Sequence, residues 1–332
     1  MSGDRNLVIG ASGFLGSHVT RRLVERGASV RVMLRPTSST KAIEDLNVDK
    51  HYGDVFDTEA LRSAMDGCDN VFYCVVDARA WLRDTRPLYR TNVDGLRNVL
   101  EVAKAADLNR FVFTSTIGTI GAPADRPATE DDANDWHHLG GGYIGSRVEA
   151  ERLVLRCAED DGLPAVAMCV AMTYGAGDWQ PTPHGAMLAA AAAGRMPIYV
   201  KNLPTESVGI DDAAEAMILA SERGRPGQRY IISERYLEMR DVLATAAEAV
   251  GARPPRIGIP LPLAYRFCAL GDVAARVLRR ELMLSTMNLR LLELLPQMEH
   301  DKATRELGWC PGSTLTAIEQ AAHFFQDVAR TR

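Results

Sequence analysis

The run Asn6-Leu7-Val8-Ile9-Gly10-Ala11-Ser12-Gly13-Phe14-Leu15-Gly16 constrains this chain more than any other stretch. Leu7 to Ile9 is a short apolar run suited to a buried strand, and it breaks into glycines spaced three apart. Ser17-His18-Val19-Thr20-Arg21-Arg22-Leu23-Val24 then follows, with apolar residues at helical spacing. Strand, glycine turn and helix in that order make a cradle for a dinucleotide. Gly10 permits the tight turn, Gly13 lets backbone approach a pyrophosphate, and Gly16 lets the helix lie against the strand. The anion would sit at the helix N-terminus, beside the N–H groups of Ser12, Gly13, Phe14 and Leu15, where the dipole favours negative charge. After Gly27, Ala28 to Leu34 supplies the next strand and completes the strand–helix–strand unit. That context favours a cofactor site over an ordinary structural turn.

The end of the second strand discriminates between cofactors. Sites for the unphosphorylated dinucleotide usually carry Asp or Glu there, bonded to ribose hydroxyls. This chain has Arg35, followed by Pro36-Thr37-Ser38-Ser39-Thr40-Lys41. A guanidinium pairs with phosphate in a forked, charge-assisted geometry, so the expected cofactor is NADP rather than NAD.

With 332 residues, 46% of them hydrophobic, the chain can bury one large core or one domain with a smaller lobe. A net charge of -5, mixed along the sequence, recommends neither nucleic acid nor an anionic membrane as partner. The six cysteines show no metal-ligand spacing, and several lie in apolar runs as reduced core residues do. His137-His138 is the one histidine pair, and it reads as loop rather than metal ligand. No metal is expected. No leader pattern is visible at the start, and the apolar stretch Ala186 to Ala193 ends at Gly194-Arg195, too short to span a bilayer. A soluble, cytoplasmic protein is expected.

Strand and helix patterns alternate through the first half. Strands are expected at Val48–Gly53, Asn70–Val76, Arg110–Thr116 and Pro164–Val170, with helices at Thr58–Met65, Leu88–Ala106 and Tyr143–Glu159. Near-continuous apolar strands between helices imply an α/β fold, a doubly wound parallel sheet of Rossmann type covered on both faces. Beyond about Tyr174 the alternation loosens. The expected division is a cofactor-binding domain over 1–173, with 205–224 returning to it. A discontinuous α/β substrate lobe would take 174–204 and 225–332. Substrate would bind between the two, outside the C-terminal strand ends. Leu- and Met-rich segments at Leu261–Leu270 and Met283–Leu295 suggest an apolar pocket there, though ordinary helix core would look the same.

Two further signals carry chemistry. Thr114-Ser115-Thr116 ends a buried strand where side chains reach the cofactor crevice. Tyr143-Ile144-Gly145-Ser146-Arg147 opens a helix, which puts Tyr143 and Arg147 on one face. A phenol beside a fixed cation is expected to ionise more easily. Tyr143 would then exchange a proton with a substrate oxygen held by Thr116, while hydride passes to or from the nicotinamide.

Here the sequence resembles the extended short-chain dehydrogenase/reductase family, which includes NAD-dependent epimerases and dehydratases. The likeness is strongest to its dihydroflavonol-4-reductase-like and 3β-hydroxysteroid dehydrogenase-like branch. The glycine turn, Gly53-Asp54-Val55, Gly67-Cys68-Asp69-Asn70-Val71-Phe72, Tyr89-Arg90-Thr91-Asn92-Val93-Asp94-Gly95, Phe113-Thr114-Ser115-Thr116 and Glu306-Leu307-Gly308-Trp309 carry it. Pro181-Thr182-Pro183-His184-Gly185 with Gly194-Arg195-Met196-Pro197 is similar to bacterial members described as hopanoid-associated sugar epimerases. The resemblance implies Asp54 and Val55 beside the adenine, and Val75 and Val76 near the ribose and pyrophosphate. It also implies Thr114 and Ser115 near the nicotinamide ribose, and Val170, Met172 and Thr173 flanking the nicotinamide. Thr116, Tyr143 and Arg147 fall on its catalytic positions.

Three departures stand out. Arg147 replaces the family lysine, and arginine keeps its charge but relays protons poorly. Val75 and Val76 replace small alanines. The prolines usual in the nicotinamide-flanking loop are missing from Cys169 to Ala176. The resemblance further implies a homodimer through helices over Asp94–Ala106 and Tyr143–Cys157, whose Val99, Leu100, Leu153 and Val154 exceed one apolar face. The leading expectation is an NADP-dependent carbonyl reductase or alcohol dehydrogenase. A sugar epimerase on the same fold is one alternative. A catalytically weak NADP-binding regulatory or scaffold protein, suggested by Arg147, is the other.

Overall fold

A computed structural model describes residues 4–331. The strands are β1 (Arg5–Ile9), β2 (Ser29–Leu34), β3 (Asp49–Tyr52), β4 (Asn70–Tyr73), β5 (Arg110–Thr116), β6 (Ala165–Val170), β7 (Met172–Tyr174), β8 (Ile198–Val200), β9 (Pro204–Gly209), β10 (Arg229–Ile232), β11 (Arg235–Glu238) and β12 (Ile257–Ile259). Between and beyond them run helices α1 (Phe14–Glu25), α2 (Thr58–Met65), α3 (Arg86–Tyr89), α4 (Leu96–Ala103), α5 (Gly141–Asp160), α6 (Pro183–Ala192), α7 (Ile210–Arg223), α8 (Met239–Ala249), α9 (Leu261–Leu278), α10 (Thr286–Leu294), α11 (Asp301–Leu307) and α12 (Thr314–Arg330).

Seven strands pair in parallel in the order β10-β6-β5-β4-β1-β2-β3. The pleat explains why the strands are apolar throughout. Leu7, Ile9, Tyr73, Phe111 and Phe113 face one way, into a core closed by α2, α4 and α5. Val8, Phe72, Val112 and Val166 face the other, toward α1 and α7. A sheet buried on both faces cannot afford polar alternation. The chain order reverses between β1 and β4, so the crevice outside their C-terminal ends is the natural ligand position.

Several expectations shift on folding. The strand expected over Asn70–Val76 ends at Tyr73; Cys74 makes one last bond to the Ile9 carbonyl of β1 at 2.8 Å, and beyond it the chain packs against the Gly10 turn. The helix expected over Leu88–Ala106 is broken by a π-helical turn over Arg90–Gly95. Arg229–Ile232, given to the lobe by the domain division, is the edge strand of the main sheet, where it pairs with β6 and packs against α11. β7, β9 and β11 form a separate three-stranded sheet, and β8 pairs with β12. Val99, Leu100 and Val154 are buried in the chain's own core, so their apolar character does not mark a dimer face.

Candidate active site

The glycine turn fits a dinucleotide. Gly10 has φ +95°, and a Cβ there would stand 2.9 Å from the Cys74 carbonyl carbon. At Gly16 a Cβ would overlap the Gly10 carbonyl oxygen, so helix and turn could not close with any other residue. Gly13 caps α1 without a side-chain acceptor, leaving first-turn N–H groups free for an anion. Ser12, Gly13, Phe14 and Leu15 line the cavity described below. His18 bonds Asp211 at 2.9 Å and the Ala176 carbonyl at 3.0 Å, tying α1 to α7 and to the loop beyond β7.

Arg35 is exposed just past β2, and its guanidinium has no carboxylate or carbonyl partner among the described residues. Asp54 accepts from the Phe56 N–H at 3.1 Å, and Val55 packs against Gly95. Val76 is 42% exposed and lines the cavity, whereas Val75 is half-buried against the second core.

Tyr143, Thr116 and Arg147 converge at the end of β5. Thr116 accepts from Gly118 N–H at 3.2 Å, which fixes its hydroxyl at the strand end. The same hydroxyl lies beside the Tyr143 phenol and favours its ionised form, as does Arg147. Burial outweighs both and raises the phenol above its ordinary value. The expected easier ionisation is thus corrected: a cation one turn away does not overcome loss of water around the ring. Tyr143 keeps some solvent access where it borders the cleft, which moderates that push.

Arg147 is 1% exposed. It donates to the Thr114 carbonyl and lies over the Phe113 ring, 5.0 Å from its centroid. Its Nε and Nη1 have no partner, and burial lowers its pKa. Beneath it, Tyr73 also holds an unpartnered hydroxyl, its pKa raised by burial. Unpaired buried N–H groups are costly, and here they border the cofactor crevice, where a ribose could accept them.

Thr114 points to the cleft and contacts Cys74 Sγ at 3.5 Å, whose thiol burial pushes up to about 11. Ser115 also borders the cavity, but its hydroxyl turns to the opposite side of the strand and donates to Glu151 at 2.5 Å. Glu151 also accepts from Thr119 at 2.7 Å and from Arg229 at 3.0 Å, which anchors α5 to β5 and β10. Val170, Met172 and Thr173 line the cavity between β6 and the lobe.

Asn92 went without a role in the sequence, although its motif was visible. Fully buried in the π-helical turn, it accepts from Asp77 N–H at 2.8 Å and donates to the Asp77 carbonyl and Ser146 hydroxyl, both at 3.0 Å. Ser146 in turn donates to the Tyr143 carbonyl at 2.7 Å. Asn92 therefore locks the loop after β4 to the turn that carries Tyr143. The signal was an amide inside an otherwise amphipathic helix.

A cavity of about 770 Å³ opens from these groups into the lobe. Trp81, Met187, Met196, Leu243, Met283 and Leu292 are among its walls. His184 lines it as neutral imidazole, its pKa pulled down to about 4 by burial. Of the two Leu- and Met-rich segments, Met283–Leu295 supplies much of the wall, but Leu261–Leu270 supplies only Cys268.

A model of the NAD dependent epimerase/dehydratase family matches residues 6–233. The chain belongs to that family. Among its relatives, sterol demethylase protein B of Methylococcus capsulatus is 28% identical over 97% of this chain and 98% of its own. A 4-hydroxy-2-methyl-3-oxo-4-farnesyl-3,4-dihydroquinoline-1-oxide ketoreductase of Stigmatella aurantiaca is 30% identical, covering 96% of each chain. Dihydroflavonol 4-reductase of Dianthus caryophyllus is 26% identical over 70% of this chain and 69% of its own. The crystal structure of gox2253 superposes with TM-score 0.86 at 32% identity, covering 99% of each chain. A nucleoside-diphosphate-sugar epimerase of Pseudomonas aeruginosa shares the fold at TM-score 0.79 and 22% identity, covering 98% of each chain. Membership and the named reductases support an NAD(P)-dependent oxidoreductase.

Proposed function

We propose that this family member is an NADPH-dependent reductase of a carbonyl on a sizeable apolar substrate, with Tyr143 as proton donor. One observation carries the reading: the Tyr143 and Thr116 hydroxyls stand together where the dinucleotide crevice meets a large, mostly apolar cavity. Gly10, Gly13 and Gly16 would hold the pyrophosphate, Arg35 the 2′-phosphate, and Thr114 and Arg147 the nicotinamide ribose. When bound, the dinucleotide supplies hydride. The chain's own residues do the remainder. Thr116 and Tyr143 hold the substrate oxygen by hydrogen bonds, and Tyr143 delivers a proton from Oη as negative charge develops there. Arg147 keeps β5 and α5 in register and places a positive charge behind the phenol. The names of the ketoreductase and sterol-related relatives support an apolar substrate.

The test is NADPH consumption with a panel of aldehydes and ketones graded by size, comparing the native protein with Tyr143→Phe. Turnover of no member, or turnover indifferent to Tyr143→Phe, would overturn the reading.

A second reading has an observation of its own. Arg147 holds two unpaired N–H groups and cannot relay protons as a lysine does, which favours a dinucleotide-binding protein of little activity. Arg147→Lys separates the two: a large gain of turnover supports weak native catalysis. Sugar dehydration ranks lower, because Thr116 is followed by buried Ile117 and Gly118, which supply neither acid nor base for water elimination; sugar epimerisation has no observation of its own in its favour. We also propose a cytoplasmic location; six free thiols are compatible with a reducing compartment. The reading also includes a homodimer through the α4 and α5 region, carried by resemblance alone.

A further inference from the structure

α9 buries a narrow face, formed by Ala264, Cys268, Gly271 and Ala275. Its opposite face is apolar and open. Leu263, Phe267, Leu270, Val273, Val277 and Leu278 follow at helical spacing, and Leu270 and Val277 are 66% and 76% exposed. The stripe continues into Met283 and Leu284, which are exposed and also line the mouth of the cavity. Gly271 packs against Leu284, with room for no Cβ, so the helix and the cavity rim are one surface. A contiguous apolar patch of this kind marks an interface.

The charges around it select the partner. Arg266, Arg276, Arg279 and Arg280 are exposed on α9 and its C-terminal turn, and none has an ion-pair partner among the described residues. Two acids lie among them: Glu281 pairs with Arg83 at 3.6 Å, and Asp272 keeps its charge while accepting from Thr286 Oγ1 at 2.7 Å, so four arginines stand against one unpaired carboxylate. A net charge of -5 for the whole chain hides this local excess of cations. A two-fold contact with a second copy would bring the same arginines face to face. An anionic bilayer instead accepts the apolar residues below its headgroups and the guanidinium groups among its phosphates.

We propose that α9 and the Met283–Leu284 rim dock on the surface of an anionic phospholipid bilayer, opening the cavity toward the membrane. No described helix is long and apolar enough to cross a membrane, so the helix lies in the interface plane. The proposal departs here from the sequence expectation, in which the net charge recommended no anionic membrane. The apolar cavity opens where the stripe ends, so a membrane-dissolved molecule would enter without crossing water.

The experiment is flotation of the full chain with phosphatidylcholine vesicles, with and without phosphatidylglycerol, at low and high salt. Flotation is expected with phosphatidylglycerol and should weaken as salt rises. The Leu270→Glu/Val277→Glu variant should lose at least about tenfold in binding, and Arg279→Glu/Arg280→Glu should lose the preference for anionic lipid. Neither pair lines the cavity, so an unchanged NADPH-induced rise in melting temperature reports intact folding. Failure of the native chain to float, or unchanged flotation of Leu270→Glu/Val277→Glu, overturns the proposal. So does sedimentation in which that variant breaks a native oligomer into smaller species, since the patch would then join two copies. The test needs no turnover, so its outcome is separate from that of the proposed reductase chemistry.

Discussion

The Arg147 guanidinium donates to the backbone carbonyl of Thr114, on the strand that ends in Thr116. A side chain one helical turn from Tyr143 therefore fixes the strand carrying the other hydroxyl of the site. It does so while buried against Phe113 with two N–H groups unpaired. A charge held this way costs stability in the free protein and gains partners only when a ligand arrives.

Arg147→Met should separate those two effects. Replacing an unpaired buried cation with an apolar side chain of similar length is expected to stabilise the free protein by roughly 1–4 kcal/mol. NADPH affinity and turnover should both fall. Thermal melts with and without NADPH measure this, and a destabilised free protein would show that Arg147 is chiefly structural. Arg147→Lys should preserve or raise turnover.

Tyr143→Phe should lower carbonyl reduction by about 10²–10⁴-fold, the usual contribution of a positioned proton donor. NADPH affinity should hardly change, because the hydroxyl acts mainly on the reacting oxygen. Equilibrium titration beside steady-state kinetics checks both halves.

The pH profile follows from the same phenol. Burial holds the Tyr143 pKa above its ordinary value, so the proton-donating form persists through neutrality. As far as this group is concerned, reduction should stay flat through neutrality and fall only above the range in which an ordinary tyrosine ionises. Alcohol oxidation, which needs the phenolate, should rise over that upper range. A reductive kcat falling with a midpoint near neutrality would contradict this assignment.

Arg35 should set cofactor preference. One charge-assisted contact to a 2′-phosphate is worth about 1.5–3 kcal/mol, or roughly ten- to a hundredfold in favour of NADPH. Arg35→Ala should remove that preference with little effect on folding, since Arg35 is exposed. Equal affinity of the native protein for NADPH and NADH would end the argument.

Asn92→Ala should act at a distance. It leaves the Asp77 N–H and carbonyl and the Ser146 hydroxyl each short of a partner. The expected loss is about 1–3 kcal/mol of stability, with a larger fall in kcat than in NADPH affinity. An unchanged kcat at a lowered melting temperature would reduce Asn92 to a structural role.

The sequence by itself determined the α/β class, the parallel sheet and the dinucleotide cradle. Each rests on local pattern: both-face burial makes strands apolar throughout, and only glycine fits where Gly10 meets Cys74 and Gly16 meets Gly10. Thr116, Tyr143 and Arg147 were legible for the same reason, as a strand end and a helix turn in fixed order. What only the tertiary structure decided depends on surroundings drawn from distant segments. Ser115 turns away because Glu151 on α5 waits behind the strand, and Arg229–Ile232 joins the main sheet because β6 offers it an edge. Spacing suggested a readily ionised Tyr143, yet burial, a property of the folded whole, outweighs the nearby cation. The Leu261–Leu270 run suited a pocket wall or ordinary helix core equally, and packing turned Ala264 and Cys268 inward while leaving Leu263, Phe267 and Leu270 outside. Periodicity gives a helix its faces, but which face is covered is settled by the neighbours it meets.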